Sequence, residues 1–270
     1  MQTTHVDHRL RPLLMLVPLL LLAAVVVAFV ILGGVADDAA RMAPATCIAH
    51  GCYCEAVATH GVRQLIDAWS SLSPALGGTL ILWFALGRRP RDRIRLAQSR
   101  LPSVLLALAA CSIAIFSFHY HATLTWLGEW LDGVSLFLLA GFGLAWALGR
   151  RFALGPAAFA FSYAAIAAVP ALVSWFAPET RKLTFVAMAL AAIAIEWHWR
   201  RRKLTRARSG FLWLAIGSFT LAGIAWLLDW NRVVCDPQSP LQLHALWHIL
   251  SAPTVVALDR YFASEAPAKQ

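Results

Sequence analysis

Long apolar stretches alternate with short polar turns from one end of this chain to the other. The apolar segments run approximately over residues 13–34, 62–87, 101–121, 126–148, 153–176, 183–198, 210–229 and 241–262. Each is near the length of about 20 residues that an α-helix needs to cross a bilayer, and none shows the strict alternation of a barrel strand. The pattern predicts an all-α membrane protein, a seven-transmembrane-helix bundle preceded by one additional N-terminal transmembrane helix. The corresponding division is 1–12 as a cytoplasmic N-terminus, 13–34 as the first helix, 35–61 as an extracytoplasmic segment, 62–263 as the seven-helix domain and 264–270 as a cytoplasmic tail. A cleaved signal peptide is the rival reading of the first segment, with small residues at Val35-Ala36-Asp37. The apolar run of 13–34 is longer than the roughly 7–15 residues of a signal core, which favours a retained helix. The segment 62–87 begins on polar residues, Gln64, Asp67 and a serine-rich stretch through Ser73.

Charge orients these segments. Six arginines fall between Arg88 and Arg100, Arg150 and Arg151 share a short turn, and Arg200 to Arg208 holds five more with Lys203. All three loops lie on one face of the predicted bundle. The opposite loops hold only Arg41, Arg63, Arg181, Lys182 and Arg232. The positive-inside rule therefore places both termini in the cytoplasm. The expected location is a plasma membrane, a bacterial inner membrane included, with multiple passes. The net charge of +9 is dispersed among these loops. No basic domain is left to bind nucleic acid, and no protein partner is evident. With 60% hydrophobic and 14% charged residues, the expected partners are membrane lipids.

Cysteine placement follows the same topology. Cys47, Cys52, Cys54 and Cys235 fall in loops assigned to the extracytoplasmic side, where an oxidising compartment permits disulfides. Four cysteines allow three complete pairings, and their spacing does not choose among them. Cys111 lies within a helix and reads as ordinary packing.

Polar side chains at membrane depth are costly, and their default reading is functional. His244 and His248, in Leu243-His-Ala-Leu-Trp-His-Ile-Leu250, are one helical turn apart and share a face. Ser117 and His121 repeat that spacing, while His119 points elsewhere. Asp132 follows His121 by eleven residues, about 16 Å along one continuous helix and too far for one site. A turn near Gly128 would instead place Asp132 at the start of the next helix, beside His121. Three neutral imidazoles, His121, His244 and His248, would then leave a fourth tetrahedral position open, which is the arrangement of a catalytic zinc. Interhelical hydrogen bonding is the competing explanation, and the preferred one for His119 and His198 taken singly.

These residues carry a family resemblance. Ser117-x3-His121-Ala-Thr-Leu-x7-Asp132 together with His244-Ala-Leu-Trp-His248 resembles the alkaline ceramidase family, part of a wider group of seven-helix membrane hydrolases that includes the progestin and adiponectin receptors. The likeness runs from about Cys52 to Phe262. Tyr53-Cys54-Glu55 and Asp229-x5-Cys235-Asp236 are similar to further signatures of that family. The resemblance implies that His121, His244 and His248 hold zinc, that Ser117 and Asp132 serve the chemistry, and that Cys54 pairs with Cys235. It also implies calcium near the N-terminal signature. Glu55 matches as a ligand there, but Cys52 and Val57 stand where oxygen ligands are expected, and Asp67 is the residue able to restore one.

The reading that follows is amide hydrolysis of a ceramide-like lipid. Zinc lowers the pKa of a bound water toward about 7. Asp132 is expected to take the proton from that water and pass it to the leaving amine, and Ser117 to hydrogen-bond the developing oxyanion. Two alternatives use the same histidines. One is a receptor or transporter that binds metal or carries protons, with Glu196 and Asp229 as further relay groups; the other is a hydrolase of another lipid amide or an ester.

Overall fold

The computed structural model describes residues 42–87, 96 and 99–265. The helix expected over 13–34, its rival reading as a signal peptide and most of the arginine-rich loop after residue 87 lie outside the described residues. Within them the protein is all-helical, with one isolated bridge between Pro44 and Thr125. The helices are α1 (Leu65–Ser70), α2 (Ser73–Gly87), α3 (Leu101–Thr123), α4 (Trp126–Arg151), α5 (Pro156–Phe176), α6 (Arg181–Arg201), α7 (Ser209–Trp230) and α8 (Leu243–Ala263).

The first core segment is broken in two. Pro74 has no N–H to extend a helix from the preceding turn. The Ser71 hydroxyl folds back onto the Asp67 and Ala68 carbonyls (3.0 and 2.6 Å) and satisfies the end of α1. Counted together, α1 and α2 form one span of 23 residues, Leu65–Gly87. That span, α3, α4, α5 and α7 are the five among the described helices that are long and apolar enough to cross a membrane. In α6 charged groups crowd both ends, from Arg181 and Lys182 to Glu196, Arg200 and Arg201. In α8 the two histidines, Asp259 and Arg260 interrupt the apolar run.

Side-chain distribution supports a lipid surround. On α5 only Phe159, Tyr163, Ala167, Ala171 and Ser174 are buried, a single stripe at spacings of three to four residues. Its other faces expose Phe161, Val169, Leu172 and Phe176, with Phe176 at 79%. A helix apolar on every side with only one stripe packed matches a membrane environment better than water.

The chain does turn between His121 and Asp132, but four residues before the expected Gly128. Leu124 adopts a left-handed backbone (φ 48°) and ends α3, and Thr125 caps α4 by accepting a hydrogen bond from the Gly128 amide (3.2 Å). Gly128 serves close approach instead, because a Cβ there would lie 3.0 Å from the Tyr120 Cα. The pre-helix segment is strapped over this turn by Ala45 N–H to Leu124 carbonyl and Trp126 N–H to Ala43 carbonyl (2.9 and 2.8 Å).

Helices α2, α3, α4 and α5 pack in sequence, while α8 lies against α7, α2 and α3. The α2 contact with α8 and α3 uses adjacent glycines. A Cβ on Gly77 would meet Val255 Cγ2 at 2.8 Å, and one on Gly78 would meet the Ala107 carbonyl at 2.9 Å. Helix α6 packs against α4 rather than closely against its successor α7. That leaves interior space between α6 and α7.

Two disulfides tie the pre-helix segment, Cys47–Cys52 and Cys54–Cys235, the second spanning 181 residues. Cys111 is a free thiol inside α3. Mass spectrometry of non-reduced peptides should recover both pairs; a Cys235 peptide joined to Cys47 or Cys52 would contradict them. Closing so long a loop constrains the unfolded chain, so a Cys54→Ser/Cys235→Ser variant should lose on the order of 2–5 kcal/mol and melt at lower temperature.

Candidate metal centre and catalytic site

Four positions on two helices build the centre. Near the end of α3, Ser117 and His121 share a face, and at the start of α8, His244 and His248 do the same. Their ends lie side by side, so the three rings meet with centroids 4.5 to 5.2 Å apart. All three are buried, and one ligand atom from each falls within 4.8 Å of the others. The Nε2 atoms of His121 and His244 face each other at 3.1 Å. Zinc with Zn–N bonds of about 2.0–2.1 Å in tetrahedral geometry sets its ligand nitrogens roughly 3.3 Å apart, close to that spacing.

Hydrogen bonds behind the rings decide which nitrogen is available. Gln64, just before α1, donates its amide N–H to the Cys52 and Glu55 carbonyls (3.0 and 3.4 Å), so its Oε1 must accept from His121 Nδ1 (2.9 Å). The Ser70 hydroxyl donates to the Asp67 carbonyl (3.0 Å) and so accepts from His248 Nδ1 (2.9 Å). Both rings therefore carry their proton on Nδ1 and turn a lone pair at Nε2 toward the cluster. Outer partners of this kind orient metal-ligating histidines. The His244 Nδ1 has no partner among the described residues. Its ring is held by Tyr53, stacked at 3.6 Å and 20°, and by the backbone, where His244 N–H donates to Asp229 Oδ2 (3.1 Å). Asp229 Oδ1 accepts from Cys54 N–H (2.8 Å), so one buried carboxylate joins the disulfide segment to α8. Two facing neutral rings with a third lone pair beside them fit a metal of the zinc type.

Ser117 and Asp132 stand next to these rings. The Ser117 hydroxyl lies 3.2 Å from His248 Nε2 and within hydrogen-bonding reach of the Asp132 carboxyl. Asp132, His244 and His248 line one cavity of about 390 Å³ with Tyr53, Lys182 and Trp226. Burial, then the nearby Asp132 carboxylate, push the Tyr53 phenol well above its ordinary pKa, so it is a neutral hydroxyl at the cavity wall. Tyr53 also has a left-handed backbone (φ 44°), held between the two disulfide-bonded cysteines, with its carbonyl accepting from Arg232 (3.0 Å). His119 and His198 take no part in the histidine cluster.

The expected calcium ligands do not assemble. Both Glu55 oxygens accept backbone N–H groups at the start of α1, from Ile66 and Asp67 (2.8 Å each). Cys52 is in a disulfide, Val57 is an exposed apolar side chain, and the Tyr53 carbonyl is held by a guanidinium. Asp67 alone keeps two buried, uncommitted oxygens. Calcium takes six to eight oxygens, so this set does not fit it.

Gln64, Ser70 and Tyr53 are the residues beside the cluster whose roles the sequence reading missed. The signal for Gln64 and Ser70 was the polar opening of the first core segment, and Tyr53 stood in the Tyr53-Cys54-Glu55 signature without a role assigned to it.

A protein-family model described as Ceramidase matches residues 76–264, more than half of the chain and inclusive of Ser117, His121, Asp132, His244 and His248. No curated protein matches the chain. The outer hydrogen bonds generate a metal prediction. His244→Ala or His248→Ala should abolish tight zinc retention through purification, and Gln64→Ala should weaken zinc affinity about 10–100-fold, the usual effect of removing an outer partner. Elemental analysis showing full occupancy in either histidine variant would remove the histidines as ligands.

Proposed function

Because the chain belongs to the ceramidase family, we propose that it is a zinc-dependent intramembrane amidase that cleaves ceramide-like N-acyl lipids to a free fatty acid and a sphingoid-type amine. Membership itself implies a hydrolase of a lipid amide. The observation that carries the finer reading is the convergence of three buried imidazoles on one another, two with Nε2 freed by defined outer partners, beside a cavity that His244 and His248 line together with Asp132. His121, His244 and His248 would hold the metal. Bound zinc supplies Lewis acidity toward a water and the amide carbonyl. Asp132 takes the proton of the attacking water and delivers it to the leaving nitrogen, because its carboxyl lines the same cavity as His244 and His248. The Ser117 hydroxyl donates to the oxygen on which charge develops. Tyr53 and Trp226 supply aromatic wall to the same cavity.

The membrane arrangement we propose is seven core helices plus one N-terminal helix, both termini cytoplasmic, and the site toward the extracytoplasmic side. Two observations support it. Both disulfides lie at the site end, while Arg150, Arg200 and Arg201 lie at the opposite end of the bundle. A proton-relay reading gains nothing from Glu196 and Asp229. Glu196 is engaged by Arg150 and Tyr261, and Asp229 by two backbone amides.

Asp132→Asn should keep its zinc, since the three histidines remain, and lose hydrolysis by about 10²–10⁴. Ser117→Ala should also keep zinc and lose about 10² or more. The assay is release of free fatty acid from ceramides, other N-acyl amines and matched esters, with metal measured on the same samples. Undiminished turnover by Asp132→Asn would reject the proton role, and preference for the esters would reject the amidase.

A further inference from the structure

A second cavity, of about 100 Å³, lies deeper in the bundle between α4, α6, α7 and α8. Its walls are apolar except for Thr254 and Glu196. Phe185 of α6 and Phe219 of α7 line both this cavity and the one that holds the histidines. With Trp247 they form a contiguous aromatic cluster, each pair 5.8 to 6.2 Å between centroids. At the far end Glu196 accepts from Arg150 (2.8 Å) and from the Tyr261 hydroxyl, and Arg150 also pairs with Glu265 (3.0 Å). The two cavities thus share the Phe185 and Phe219 rings as a common wall, and the deeper one ends at an ion cluster.

Resting on the amidase reading, we infer that the deeper cavity receives the distal part of the substrate's acyl chain, that Phe185, Phe219 and Trp247 are its throat, and that the Glu196–Arg150 cluster limits chain length. The polarity of the upper cavity decides which chain enters. Its mouth carries Thr46, Glu129, Arg181 and Lys182, with Thr46 and Arg181 both on the Glu129 carboxylate (Thr46 Oγ1 at 2.6 Å, Arg181 at 3.3 Å). The amine half of a ceramide carries hydroxyl groups near the scissile bond and suits this rim. The acyl half is hydrocarbon from the atom beside the carbonyl and suits the aromatic floor. From His248 to Phe262, α8 advances fourteen residues, about 21 Å, which an extended chain of roughly 16 carbons would fill. A longer chain would press its end on buried charges, and stripping their partners is costly.

The test is a ratio: turnover of a long-acyl ceramide, about 16 carbons, over that of a short-acyl one, about six carbons, both on the same amine. Ala215→Phe fills the deep cavity from α7 and should lower the ratio at least about tenfold while short-acyl turnover persists. Ala192→Leu on α6 is the second filling variant should the first fail to fold. Phe185→Ala widens the throat and should shift preference toward bulkier or kinked acyl chains. Zinc content and thermal midpoint serve as folding controls. An unchanged ratio in a folded, zinc-loaded filling variant would overturn the inference and leave the amidase standing, as would a shift that follows the length of the amine's chain instead. Zinc-loaded wild type that cleaves neither ceramide removes the amidase reading and this one with it.

Discussion

Three imidazoles can turn their nitrogens toward one another inside a helix bundle only if something fixes each ring from behind, because neutral rings with opposed lone pairs do not attract one another. Here the constraint comes from one short stretch of chain outside the long helices. Gln64 holds His121, Ser70 holds His248, and Tyr53 covers His244. That stretch is itself anchored by Glu55 on the α1 amides, by Asp229 on Cys54 and by the disulfide to Cys235. The histidine cluster therefore depends on pre-helix residues as much as on the helices that carry the three rings.

That dependence explains what the amino-acid order revealed and what it hid. The cluster was legible because Ser117 and His121, and likewise His244 and His248, sit four apart on a long apolar helix, where an isolated polar group has few structural uses. The helices were legible for the same reason, the segments 183–198 and 241–262 included, although α6 and α8 carry too many polar groups to count as membrane spans by length and composition, and eight spans are a proposal. The turn after α3 was misplaced because a glycine was read as a bend, whereas Leu124 adopts the left-handed conformation and Gly128 is needed for close packing. Gln64 and Ser70 escaped because their role depends on long-range folding rather than spacing: Gln64 meets a ring 57 positions away and Ser70 one 178 away.

The calcium expectation shows the limit of carrying a motif across. Glu55 matches the family signature, yet its oxygens cap α1, and an Arg232 guanidinium sits on the Tyr53 carbonyl between two disulfides. In this chain side-chain hydrogen bonds and covalent links hold the segment in place. Its interior is polarised along the bundle, with a charged rim by the site, an aromatic middle and an ion cluster at the far end. That gradient suits a lipid whose polar head and hydrocarbon tail must lie on opposite sides of one bond.

The most direct test is product analysis of the purified wild-type protein, stripped of metal and then reloaded. Fatty acid and amine should appear in equal amounts from a defined ceramide, disappear on stripping, and return with about one equivalent of zinc. Undiminished cleavage by the metal-free protein would contradict the role of the three histidines, and a zinc-loaded protein that leaves every lipid amide intact would contradict the amidase itself.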